Sequence, residues 1–137
     1  MTLFELVTSE LELLLAQVLS LPTGAVYTSP EPQAVPRNGL EAWLEPLRPQ
    51  QPATGVTSYL FALHLRQRVQ DQPAGTLGPA GKALLAQADV LRAALDGRRP
   101  FAARVPQLVG LALDGGEFSS RDQDLSLELD LKAVCVD

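Results

Sequence analysis

The sequence predicts an α+β domain with a single mostly antiparallel sheet, two helices packed on one of its faces, and a C-terminal β-hairpin. Three observations predict it. Residues 3–20 and 80–96 repeat their apolar positions every three to four residues, the spacing of helices that bury one stripe. Residues 57–69 and 125–136 instead alternate, as strands with one face on a core do. Helix, strands, helix and hairpin follow in blocks, not in the strict strand–helix alternation of a parallel sheet. At 137 residues, positions 1–137 read as one domain.

In the first helix, Leu3, Leu6, Val7, Leu11, Leu14, Leu15, Val18 and Leu19 share a broad face. Thr2 and Glu5 have the spacing of a capping box, and Pro22 with Gly24 is expected to end the helix. Phe4 and Leu13 lie off the stripe. A proline-dense tract runs from Pro22 to Pro52 and contains two strand candidates, 25–27 and 40–47. In the second, Leu40, Ala42 and Leu44 face one way and Glu41, Trp43 and Glu45 the other, and Pro46 marks an edge or an end. Residues 48–55 read as a polar extended loop.

The segment "TSYLFALHLRQRV" is the strongest internal strand. Tyr59, Phe61, Leu63 and Leu65 face the core, and Leu60, Ala62, His64, Arg66 and Arg68 form a face that grades from apolar to basic. Residues 70–81 read as a loop. Leu84, Leu85, Ala88, Leu91 and Leu95 mark the stripe of the second helix, which Gly97 ends. Pro100 and Pro106 bracket a connector to a strand at 108–114. Residues 115–123, "GGEFSSRDQ", read as a turn-rich tip, with Asp114-Gly115-Gly116 making the hairpin turn and Asp122 and Asp124 in the loop. In the return strand, "DLSLELDLKAVCVD", Leu125, Leu127, Leu129, Leu131, Ala133 and Cys135 keep one parity. The opposite parity is polar up to Lys132 and then turns apolar at Val134 and Val136. A strand apolar on both sides is covered on both sides. The cover is either another part of this chain or a neighbouring subunit.

Composition excludes several classes. The net charge of −5 is spread over both halves: residues 1–70 hold four arginines against six acids, and 71–137 seven basic groups against ten acids. Neither half is a basic footprint, so no specific nucleic-acid binding is expected. No apolar run reaches the eighteen or so residues of a membrane span. Glu5, Glu10 and Glu12, with no basic residue among them, make the N-terminal segment unlike a secretory signal. One cysteine allows no disulfide within the chain and points to synthesis in a reducing cytoplasm.

Two near-motifs fail on chemistry. "GGEF" (115–118) has one acid where the cyclic-dinucleotide synthase signature has two. "GTLGPAGKA" (75–83) resembles a phosphate loop, but it is one residue too long, has Ala83 where a hydroxyl would hold magnesium, and has Pro79 in place of an N–H donor. His64 is the only histidine and has no second His or Cys ligand near it in sequence; Cys135 has the parity of a buried apolar residue. No catalytic, metal or cofactor-binding residues are assigned, no cofactor is expected, and the chain reads as a non-enzyme. Trp43, on the same parity as two glutamates, is either lidded by another element or part of a contact surface.

The order of elements resembles a known family. A leading amphipathic helix runs into "VY", proline-marked extended segments ("SPEPQAVPRNGLEAWLE"), the long "SYLFALHLRQR" strand, a helix ending in "LRAALDGRRPF", and the alternating terminal hairpin. This is similar to the tail terminator (tail completion) proteins of long-tailed bacteriophages, over nearly the whole chain. The resemblance implies an α+β protomer that assembles with itself into a ring, typically a homohexamer, in the virion. The ring caps the head-proximal end of the tail tube, stops tube polymerisation and offers a joining surface to the head. The partners so implied are the tail tube protein and the head–tail connector protein, and the activity is structural. Loops 45–56 and 70–81 would be elaborations on the family pattern. Trp43, His64, Arg66, Arg68, Val134 and Val136 are the candidate residues of a subunit or tube interface. The alternative is a small non-catalytic adaptor or dimeric binding module, such as a phage neck protein.

Overall fold

The computed structural model describes residues 2–31, 39–68, 78–121 and 124–136. Among them are two helices, α1 (Leu3–Val18) and α2 (Gly78–Leu95), and six strands: β1 (Tyr27–Thr28), β2 (Leu40–Pro46), β3 (Gln50–Ala53), β4 (Val56–Arg68), β5 (Leu108–Arg121) and β6 (Asp124–Val136). The strands form one sheet in the order β1-β2-β4-β6-β5, with β3 paired to the start of β4. The short β1–β2 pair is parallel and every other pair antiparallel. This is the predicted α+β class with its C-terminal hairpin. No helix among the described residues is long and apolar enough to cross a membrane.

Helix α1 begins as expected. The Thr2 hydroxyl accepts the Glu5 N–H at 3.1 Å, and the Glu5 carboxylate accepts the Thr2 N–H at 3.3 Å, together worth about 1 kcal/mol. It ends sooner than Pro22 and Gly24 require. Ser20 takes the left-handed conformation (φ 58), Ser20 N–H donates to Gln17 C=O and Leu21 N–H to Ala16 C=O. These are the two bonds of a Schellman stop, with serine where glycine is usual.

Alternation builds the core. On β4, Phe61, Leu63 and Leu65 are buried beside Ala42 and Leu44 of β2, and beside Leu127, Leu129, Leu131, Ala133 and Cys135 of β6. Val7, Leu11 and Leu15 of α1 and Leu84, Ala88, Leu91 and Leu95 of α2 close over the same face. Each such leucine contributes roughly 1.5–3 kcal/mol by leaving water. Phe4 packs its ring against Tyr59 and Phe61, so one residue off the α1 stripe is also used.

The structure departs from the sequence reading in five places. Residues 48–55 are not only loop: Gln50–Ala53 is a strand, turned into β4 at Gly55 (φ 77). All four of its residues are exposed, so no apolar alternation betrays it, and Pro52 is tolerated because the strand sits at an edge. Helix α2 starts at Gly78, inside the expected 70–81 loop; residues 70–77 lie outside the described residues. On α2, Gly81 takes a place in the buried stripe while Leu85 is 39% exposed. Ala25 and Val26 are buried, but pairing begins only at Tyr27. Most consequentially, residues 115–121 continue β5. Gly115 and Gly116 make a bulge, not the hairpin turn, and pairing with β6 shifts register between Asp114 and Glu117. Asp124 accordingly starts β6; Asp122 lies outside the described residues.

The free side of β5 is partly sealed by the chain leaving α2. Gly97 N–H donates to Leu111 C=O, Leu111 N–H to Arg98 C=O, and Leu113 N–H to the Asp96 carboxylate. Such cover removes part of an open edge that would otherwise invite strand pairing.

Candidate functional site

The helices occupy one face of the sheet, so the opposite face is the candidate surface. It carries Glu41, Trp43 and Glu45 from β2; Ser58, Leu60, Ala62, His64 and Arg66 from β4; and Ser126, Glu128, Asp130, Lys132, Val134 and Val136 from β6. Strand register brings them together, because Trp43 lies opposite His64 and His64 opposite Glu128.

One end of this face is a polar–aromatic ladder. Tyr27 and Trp43 stack nearly parallel at 6.2 Å between ring centroids, and Trp43 and His64 at 4.7 Å. The Arg66 guanidinium lies 5.1 Å from the centre of the Trp43 ring. Trp43 is therefore only 5% exposed. Of the two readings of this residue, the lid from its own chain describes it, and it is not an open contact surface. Glu41 is equally buried and meets three donors: the Tyr27 hydroxyl at 3.0 Å, Arg66 Nε at 3.1 Å and Arg66 Nη2. A carboxylate tolerates such burial only when its lone pairs are filled this way. His64 Nε2 lies 2.8 Å from Glu45 Oε1 and 3.9 Å from Glu128 Oε1.

The face is thus not basic, as alternation along β4 alone suggests. Arg66 is spent on Glu41 and His64 on Glu45; the Arg68 side chain lies outside the described residues. The strands β5 and β6 instead set acids opposite acids, Asp114 against Asp130 and Glu117 against Glu128. Sequence reading gave Glu41 and Glu45 no role. Their parity with Trp43 was legible, but not that β4 would place Arg66 and His64 beside them.

The other end is apolar. Val136 is 40% exposed, Val134 and Leu60 are half-buried, and exposed Leu47 lies nearby. Between this end and the ladder lies a cavity of about 350 Å³ lined by Leu47, Leu60, Ala112, Asp114, Asp130 and Lys132, with neither Val134 nor Val136 in its lining. Helix α1 packs on the opposite face, so it does not supply the cover that the paired apolar parities at 134–136 call for. Cys135 is buried in the core, as its parity predicts.

No known protein family matches the chain, and no curated protein matches its sequence. Solved structures do match. A protein in the virion of a native gene transfer agent particle superposes with a TM-score of 0.55 at 18% identity, covering 98% of this chain and 92% of its own. A second solved protein superposes with a TM-score of 0.52 at 14% identity, over 98% of this chain and 95% of its own. The chain shares the whole fold of a component of a virion particle, with no large segment left over on either side.

Proposed function

We propose that this protein is a structural component of a phage or phage-like virion, acting as a tail terminator. Copies of the chain form a ring, a hexamer, at the head-proximal end of the tail; the ring stops polymerisation of the tail tube protein and receives the head–tail connector. The observation that carries this reading is the end-to-end fold likeness to a protein of a gene transfer agent virion. The order of elements, already similar to that of tail terminators in the sequence, agrees with it. The chemistry agrees too: the buried Glu41 and Trp43 and the half-buried Arg66 satisfy one another within the fold, as in a scaffold. Contact between copies uses the helix-free face at its apolar end, around Val134 and Val136.

Native mass spectrometry with negative-stain microscopy tests the reading. Rings are expected, either alone or on addition of the tail tube protein of the same particle. A strict monomer at tens of micromolar, with no rings even beside the tube protein, overturns it. A small binding module is the second reading, favoured by the 350 Å³ cavity, which falls in the size range of ligand pockets. A monomer or dimer whose melting temperature rises with a small ligand would select that reading.

A further inference from the structure

We infer that Glu45, His64 and Glu128 form a binding site for one divalent metal ion of the zinc type. The inference is independent of the virion reading and rests on geometry. One ligand atom from each residue, all within 4.8 Å of one another, converges from three adjacent strands, β2, β4 and β6. Glu128 is directly across from His64 and Glu45 diagonally across, so the backbone ladder itself sets the spacing. The His64 ring lies flat on Trp43 at 4.7 Å, which fixes its plane and directs Nε2 toward the carboxylates.

An ordinary hydrogen bond does not account for all three residues. Nε2 carries at most one proton, and Glu45 at 2.8 Å takes it. Glu128, with its side chain 45% exposed, stands 3.9 Å from the same nitrogen and accepts no hydrogen bond among the described residues. It also faces Glu117 across the hairpin, a like-charge pair that costs stability. A cation serves both carboxylates at once and relieves that repulsion. Ligands each about 2.1 Å from one ion stand roughly 3–3.5 Å apart at tetrahedral or octahedral angles. The two spacings from His64 Nε2, 2.8 and 3.9 Å, bracket that range, while the three ligand atoms span up to 4.8 Å, so the half-exposed Glu128 carboxylate must swing inward to close the site. One imidazole and two carboxylates suit a first-row ion such as zinc better than magnesium or calcium, which favour all-oxygen sets. Coordination uses the Nε2 lone pair, so the ring adopts the Nδ1–H tautomer; a doubly protonated ring releases one proton to solvent.

Because His64 is the only histidine, its two ring C–H signals report on the site without ambiguity. Zinc chloride is titrated into the untagged full chain and followed by NMR and calorimetry, with magnesium chloride as control. The expected result is a saturable shift of both ring signals at one zinc per chain, with no comparable effect of magnesium. Glu128→Gln, at a half-exposed position that leaves the fold intact, is expected to weaken zinc at least tenfold, and Glu45→Gln likewise. Ring signals unmoved by excess zinc overturn the inference. So does zinc affinity in Glu128→Gln equal to that of the parent, which would locate binding elsewhere on the acidic surface.

Discussion

Glu41 is a carboxylate taken out of water and held by three hydrogen bonds, and its neighbours depend on it in turn. Glu41→Ala removes an acceptor shared by the Tyr27 hydroxyl and the Arg66 guanidinium, both of which pack against the Trp43 ring. Arg66 keeps some access to water, which discounts the loss, so a destabilisation of about 2 kcal/mol is expected. A urea midpoint that moves by less than the equivalent of about 0.5 kcal/mol would show that the network is ornamental. Ser20 makes the opposite prediction. Its φ of 58 strains any residue with a Cβ, so Ser20→Gly should stabilise by about 0.5–1 kcal/mol. Unchanged or lower thermal stability would argue that the serine is not strained. The two residues differ in how far the sequence revealed them. The parity of Glu41 with Trp43 was visible, but Arg66 is 25 residues away and only the β2–β4 register joins them. At Ser20 there was no glycine to announce the stop.

Elements were legible in proportion to how one-sided their burial is. Strands β4 and β6 alternate cleanly because one face meets two helices, and the capping box of α1 is a local signal that needs no tertiary information. Strand β3 has no buried face, so nothing in its composition separates it from loop. Strand β5 carries a paired-glycine bulge that breaks its parity and looks like a turn, since the same left-handed backbone serves both. Helix α2 shows the limit of periodicity. Leu85 and Leu91 fit the stripe about equally by sequence, yet Leu91 is fully buried and Leu85 is at the rim. Leu91→Ala should therefore cost about 2–5 kcal/mol, while Leu85→Ala should fall within about 0.5 kcal/mol of the parent. Paired denaturation curves check this; equal losses at both positions would mean that α2 is rotated about its axis relative to the arrangement described.

For the whole molecule, the decisive asymmetry is that both helices cover one face of the sheet, while among the described residues the other face buries Glu41, Trp43, Ser58 and Ala62 but leaves Val136 exposed. The chain end was the sequence's only hint of this, because Val134 and Val136 turn apolar where strand parity asks for polar residues. The structure narrows what covers them: α1 is on the far side, and their cross-strand neighbours are Val56, Ser58 and Gly110, with Gln107 bonded to the Val136 N–H. An apolar side chain that the monomer leaves 40% exposed contributes little to the monomer's stability. Val136→Glu should accordingly change the unfolding free energy by no more than about 0.5 kcal/mol. If copies of the chain meet through this face, the same substitution buries a charge in the contact and should weaken assembly at least tenfold. Denaturation of dilute protein and native mass spectrometry across a concentration series separate the two effects. Loss of rings with an intact monomer assigns the face to the subunit contact. Rings undiminished in Val136→Glu move that contact elsewhere, with the surface left open for the tube or the connector. Unfolding of the monomer would show instead that the cover over the chain's end is its own.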